Sequence, residues 1–203
     1  MTIRAIVFDF GKVIGHFDYR RGGARLAPHT DVSIDEMLQL AYHVAIEDEY
    51  ESGRVSSADF LDKVKEACRL RCPTAEIAAA FADIFWANEE VCALVPRLAP
   101  HYRLLLGSNT NEIHADRFKQ QFADTLRHFH TLVLSHEVGV RKPRAGFFEH
   151  CIRLAEVPAV ECLFIDDLAD NVAGARACGL QAIHYIGFPD LQQRLEELGV
   201  RMD

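Results

Sequence analysis

The sequence predicts an α/β fold: a doubly wound parallel sheet with a helical segment inserted after its first strand. Three observations predict it. Five short aliphatic, often β-branched runs are spread along the 203 residues, each run from the second onward is followed by helical apolar spacing, and the stretch from Asp18 to Asn88 offers helix signals only.

Taken in order, the first run is Ile3–Phe8. It is too short for a signal peptide or a membrane span, and the expected location is cytoplasmic. In the stretch that follows, Ser33-Ile34-Asp35-Glu36 and Ser56-Ser57-Ala58-Asp59 read as capping boxes. Ile77, Phe81, Ile84 and Phe85 form a stripe at helical spacing, so one helix is expected to carry all four. The remaining runs are Tyr102–Leu106, Thr131–Leu134, Cys162–Ile165 and Ala182–Ile186. Between them, Ile113–Phe122, Gly146–Leu154 and Leu168–Cys178 have helical spacing, the last closed by Gly179 as a C-cap. Strand–helix units of this length imply right-handed crossovers with helices on both sheet faces. An insertion after the first strand would overhang the carboxyl ends of the strands, where such sheets bind ligands.

Composition narrows the function. Hydrophobic residues make up 49% and charged residues 26%, an ordinary globular balance. Thirty acidic residues against 22 basic ones give a formal charge of −8, and no Lys/Arg run could neutralise a row of phosphates. Neither nucleic acid nor a membrane is an expected partner. Six cysteines without a CxxC read as reduced core thiols.

Four segments fall at predicted strand ends: Phe8-Asp9-Phe10-Gly11-Lys12-Val13, Gly107-Ser108-Asn109-Thr110-Asn111, Gly139-Val140-Arg141-Lys142-Pro143 and Phe164-Ile165-Asp166-Asp167-Leu168-Ala169-Asp170-Asn171. Converging there, they would bring an aspartate, a hydroxyl, a lysine and a carboxylate pair into one crevice. Phosphoryl transfer needs that set: carboxylates as hard ligands for Mg²⁺, a nucleophile to split hydrolysis into two displacements, and cationic or hydroxyl groups to meet charge on the phosphoryl oxygens. Adjacent carboxylates repel, so Asp166-Asp167 itself argues for a cation.

These segments, in order, spacing and identity, resemble the haloacid dehalogenase-like hydrolase superfamily over essentially the whole chain. The resemblance implies a Rossmann-like core of residues 1–17 and 89–203 and a helical cap of residues 18–88. It implies that Asp9, Ser108 and Lys142 are catalytic, that Gly11, Asn109 and Lys142 bind substrate, and that Asp9, the Gly11 carbonyl, Asp166 and Asp167 hold Mg²⁺. Ser108-Asn109-Thr110-Asn111, Tyr50-Glu51-Ser52-Gly53-Arg54-Val55-Ser56 and Arg141-Lys142-Pro143 are similar to the subgroup containing a bacterial α-glucose-1-phosphate phosphatase and the phosphatase domain of soluble epoxide hydrolases. The implied substrate is a small phosphorylated metabolite, and the implied assembly a monomer or homodimer.

Gly11 departs from that pattern. Most phosphatases of the superfamily carry there a second aspartate, which protonates the leaving alcohol and then activates water. General acid–base catalysis contributes roughly 10²–10⁴-fold, so its loss favours good leaving groups such as sugar 1-phosphates. His16, Glu47, Asp48 and Glu49 are the candidate substitutes. Two alternatives stand beside the phosphatase: a 2-haloacid dehalogenase, which needs no acid to expel halide but generally lacks the metal pair, and a non-catalytic phosphate-binding regulatory module.

Overall fold

A computed structural model describes residues 2–41 and 44–203, the side chains of 44–47 excepted. Its strands are β1 (Ala5–Phe8), β2 (Gly15–Phe17), β3 (Phe85–Ala87), β4 (Arg103–Ser108), β5 (Thr131–Leu134), β6 (Cys162–Asp166) and β7 (Gln181–His184). Five form the main sheet in the order β5-β4-β1-β6-β7, every neighbour parallel, with Val7 opposite both Leu105 and Phe164. Growth of the sheet reverses at β1, and open α/β sheets form their ligand crevice at such a reversal.

The helices of the insertion are α1 (Tyr19–Leu26), α2 (Ile34–Ala41), α3 (Val44–Glu51), α4 (Ser57–Ala67) and α5 (Thr74–Ala82). Those of the sheet layers are α6 (Glu89–Leu98), α7 (Glu112–Gln121), α8 (Ala123–Leu126), α9 (Ser135–Val138), α10 (Ala145–Ala155), α11 (Ala169–Ala177) and α12 (Phe188–Glu197). Strand alternation sorts the core into two halves. Ile6, Phe8, Leu104, Leu106, Leu163 and Ile165 pack with Leu94 and Leu98 of α6, Phe118 of α7 and Leu191 of α12. Val7, Leu105 and Phe164 pack on the other face with Phe147 and Phe148 of α10 and Ala175 of α11. Each such fully buried side chain contributes about 1.5–3 kcal/mol. Gly179 takes φ +88° just beyond α11, the left-handed end that the sequence signalled.

The insertion has its own apolar cluster, in which Leu26, Met37, Phe60, Ile77 and Phe81 are buried together and Tyr50 stacks on Phe60 at 4.2 Å. Both capping serines act as expected: Ser33 Oγ accepts from the Glu36 amide at 3.2 Å, and Ser56 Oγ from the Asp59 amide at 3.1 Å. One expectation fails. The insertion is not helical throughout, because β3 pairs antiparallel with β2, Phe85 opposite Phe17. The stripe is divided accordingly: α5 carries Ile77 and Phe81 and ends at Ala82, while Phe85 belongs to a strand. The β2–β3 pair carries the chain out to the insertion and back. Phe85 turns inward onto the Phe10 ring at 5.4 Å, and its neighbour Trp86 turns outward, which is period two rather than 3.6.

Phe118 stacks on Phe10 at 4.1 Å and meets Phe85 edge-on, joining α7 to both the first strand's exit and the hairpin. Phe118→Ala is expected to cost about 3–5 kcal/mol. That corresponds to a fall of roughly 6–20 °C in the thermal midpoint, measurable by calorimetry.

Candidate active site

The four segments singled out in the sequence meet at the carboxyl ends of β1, β4 and β6. At their centre is Lys142, whose side chain is 1% exposed. Its Nζ donates to Asp9 Oδ1 at 2.6 Å, to Asp166 Oδ2 at 2.7 Å and to the Gly107 carbonyl at 2.8 Å. An ammonium has three protons, and all three are used. Lys142 thus acts on Asp9 rather than presenting a free proton to the cavity.

Asn109, expected to bind substrate, lines the cavity, and its carboxamide also braces the loop of Lys142. It donates to the Lys142 carbonyl at 3.0 Å and accepts from the Lys142 amide at 2.8 Å, clamping the lysine's backbone in place. Ser108, expected to be catalytic, is buried, with Oγ donating to the Asn109 carbonyl at 3.3 Å. Gly11 does line the cavity, beside Asp9.

The two carboxylates of the pair have different surroundings. Asp166 is fully buried and accepts from Lys142, from the Leu168 amide at 2.9 Å and from Asn171 Nδ2 at 2.9 and 3.1 Å. Asp167 faces the cavity, with Lys12 Nζ at 3.4 Å. Asp9, Asp166 and Asp167 can each offer an oxygen within 4.8 Å of one another, a spacing that one cation can span. Charge argues the same way. One buried ammonium faces several carboxylates, so the site keeps a negative excess.

That excess shows in the titration of the groups. Burial pushes the Asp9 carboxyl up, Lys142 opposes, Asp166 adds to the rise, and the outcome is about 7. Burial likewise raises Asp167, reinforced by Asp166. Burial works against the Lys142 ammonium, but the charges of Asp9 and Asp166 outweigh it and hold the lysine protonated.

Residues 3–179 match the family described as haloacid dehalogenase-like hydrolase. The chain belongs to that family of hydrolases. Among relatives of this haloacid dehalogenase-like enzyme is a D-ribitol-5-phosphate phosphatase of Bacteroides thetaiotaomicron, 25% identical over 201 residues, which cover 95% of this chain and 97% of the relative. A haloacid dehalogenase-like hydrolase structure from Porphyromonas gingivalis has a TM-score of 0.79 and 27% identity, covering 96% of this chain and 98% of that one. A family enzyme from Bacteroides thetaiotaomicron, in complex with magnesium and inorganic phosphate, shares the fold with a TM-score of 0.78 and 24% identity over 89% of this chain and 93% of that one.

In this family member the candidate substitutes for an acid at Gly11 fare poorly. His16 sits on β2 with its ring 5.8 Å from Trp86 and does not line the cavity. Asp48 is gripped by Arg54 at 2.7 Å, Arg144 at 3.1 Å and Arg141 at 3.3 Å. Burial raises its carboxyl, but these bonds outweigh that and hold it below the usual range. Glu49 is exposed, and the side chain of Glu47 lies outside those described. Phe17 fills the relevant space: a Cβ on Gly11 would stand 3.1 Å from its Cε1.

Several site residues escaped the sequence reading. Asn171 as the brace of Asp166, and the cavity-lining Lys12, Phe17, Tyr19 and Leu168, carry no chemical signature when read along the chain. Glu51, marked in the sequence only within the Tyr50–Ser56 motif, also lines the cavity.

With its folded value about 7 against an ordinary 3.8, Asp9 binds its proton more tightly in the folded, metal-free protein than in the unfolded chain. This contribution to stability is full below about pH 4 and is lost as the pH rises through 7. In EDTA, the urea midpoint of the wild type should therefore fall between pH 5 and pH 8 by more than that of Asp9→Asn.

Proposed function

We propose that this enzyme is a Mg²⁺-dependent phosphatase, hydrolysing a small phosphate ester through an aspartyl-phosphate on Asp9 without a carboxylate at Gly11. The observation that carries the reading is the arrangement at the cavity floor: a buried Asp9 aimed by Lys142, with Asp166 and Asp167 within reach of the same cation. The phosphatase relative and the neighbour holding magnesium and phosphate support it. The Asp166–Asp167 pair also speaks against a dehalogenase, which generally lacks it.

The chain's own groups divide the work. Asp9 Oδ1 accepts from the Phe10 amide at 2.7 Å as well as from Lys142, which fixes the plane of the carboxylate. One Asp9 oxygen attacks phosphorus while the bond to the leaving oxygen breaks, and that oxygen takes its proton from water. Water then attacks the phosphorus of the aspartyl-phosphate, releasing inorganic phosphate and restoring the Asp9 carboxylate. Lys142 favours the ionised form of Asp9 for this attack, opposing its burial and the Asp166 charge. Mg²⁺, held by Asp9, the Gly11 carbonyl, Asp166 and Asp167, would supply positive charge to the phosphoryl oxygens. Asp167 faces the cavity and Asp166 stands behind it, so Asp167 is the more direct ligand and Asp166 the partner of Lys142. Insertion and sheet layers enclose the phosphate between them, and limiting water there strengthens each of these interactions.

Phosphate release from p-nitrophenyl phosphate is expected to require Mg²⁺, to stop in EDTA and to fall by at least about 10³-fold in Asp9→Asn. Turnover by Asp9→Asn at the wild-type rate would exclude the covalent route. A second expectation concerns Gly11. Because Phe17 crowds its Cβ position, Gly11→Asp alone should not raise turnover, whereas Gly11→Asp with Phe17→Ala should exceed Phe17→Ala alone.

A further inference from the structure

Away from the Asp9 cavity, the insertion gathers a second set of side chains whose chemistry suits a metal ion. His29, Cys72 and Glu76 each offer one ligand atom, and the three atoms lie within 4.8 Å of one another. None of the three lines the Asp9 cavity.

Local structure explains why they meet. His29 ends the 3₁₀ turn Ala27–His29 that follows α1, and its carbonyl accepts from the Arg71 amide at 3.0 Å. Thr30 Oγ1 donates to the Cys68 carbonyl at 2.5 Å and Asp31 pairs with Arg71 at 3.2 Å, which laces residues 29–31 to the segment carrying Cys72. Pro73 then opens α5 as its N-cap, placing Glu76 in the first turn of that helix. Farther along the same two helices, Gly22 lets α1 lie directly on α5, since a Cβ there would stand 2.6 Å from the Ala80 carbonyl. The three side chains thus stand at one end of the α1–α5 pair.

The thiol is buried and unpartnered. Cys72 is 3% exposed, and its Sγ has no hydrogen-bond partner among the described residues, whereas the Cys68 thiol donates to the Met37 carbonyl at 4.0 Å. His29 Nε2 and Glu76 Oε1 stand 2.9 Å apart on half-buried to exposed side chains. The thiol forms the floor and the other two groups the rim, which leaves an entry path and room for water as a fourth ligand.

A thiolate, an imidazole and a carboxylate are donors that Zn²⁺ accepts, with water completing a tetrahedron. Donor atoms about 2.0–2.3 Å from such a centre stand roughly 3.3–3.5 Å apart, so the His29–Glu76 pair needs only a small opening to admit the ion. Mg²⁺ prefers hard oxygen ligands, so the thiol separates this site from the carboxylate trio by the ion it selects.

We propose that His29, Cys72 and Glu76 form a Zn²⁺ site on the insertion, the ion displacing the Cys72 thiol proton to solvent and fastening the end of α1 to the start of α5. The proposal is independent of the reaction at Asp9. A small folded unit has a limited apolar core, and a metal staple adds to its stability.

Cobalt tests the site, because Co²⁺ bound to a thiolate absorbs in the near ultraviolet and Zn²⁺ binds such ligands more tightly. In excess Mg²⁺, the reduced wild type is expected to develop this band with equimolar Co²⁺ and to lose it when Zn²⁺ is added. Cys72→Ser should abolish the band, and His29→Ala and Glu76→Gln should each weaken Co²⁺ binding at least about 10-fold. Zn²⁺ should also raise the thermal midpoint of the wild type more than that of Glu76→Gln. No band in the wild type, a band that survives Cys72→Ser, or an equal rise in midpoint for wild type and Glu76→Gln would overturn the proposal. Undiminished binding in either His29→Ala or Glu76→Gln would overturn it too, leaving a thiol with adventitious metal affinity only. If Cys72→Ser fails to fold, His29→Ala and Glu76→Gln decide the outcome, because both side chains are partly exposed and circular dichroism verifies their folding.

Discussion

The buried ammonium of Lys142 is the interaction on which the rest depends. Its acceptors come from the ends of three adjacent strands, Asp9 after β1, Gly107 within β4 and Asp166 at the end of β6. Those ends approach so closely that their carboxylates could not remain buried together without a cation between them. Asn109 holds the lysine backbone by both its amide and its carbonyl, so the ammonium arrives at a defined point. The same contact joins the centre of the sheet and orients the group expected to react. Fold and chemistry therefore share one constraint.

Around that point the acidic residues divide by exposure. Asp166 is enclosed and accepts from Lys142, Leu168 and Asn171, and it sets a negative charge beside Asp9 and Asp167. Asp9 and Asp167 meet the cavity and feel this charge as a raised affinity for protons. An arrangement that is short of positive charge when metal-free is prepared for a divalent cation. Gly11 fits the picture differently, because Phe17 occupies the space that a side chain would need. The first turn after Asp9 thus exchanges a proton donor for an aromatic wall.

The insertion meets the sheet layers through apolar contacts, among them Phe85 on Phe10 and Phe81 stacked on His114 at 4.3 Å, and through polar ones. Asp48 and Glu51 of α3 face Arg141 and Arg144, and Gly53 permits backbone contact at the same place. Such a seam buries charges that need partners across it, which ties the insertion's position to the loop bearing Lys142. What the insertion brings to the cavity is thereby coupled to the loop that holds Asp9.

The sequence by itself determined the sheet, its helices and the four segments at the strand ends, because strand and helix periodicity and the Asp9, Lys142 and Asp166-Asp167 chemistry are local along the chain. It also marked the serine caps and Gly179, whose signals act within a few residues. It could not show that Phe85 would leave the helical stripe, since the partner that makes it a strand, Phe17, lies far away in the chain. Nor could it distinguish Asp166 from Asp167, or show Asn109 holding the backbone of Lys142, because burial and hydrogen-bond direction are set by neighbours from other strands. Only the tertiary structure decided that Phe17 crowds Gly11 and that Glu51 reaches the cavity. Those facts depend on how the returning insertion docks, and no local pattern encodes a contact between residues that meet only after the chain has closed on itself.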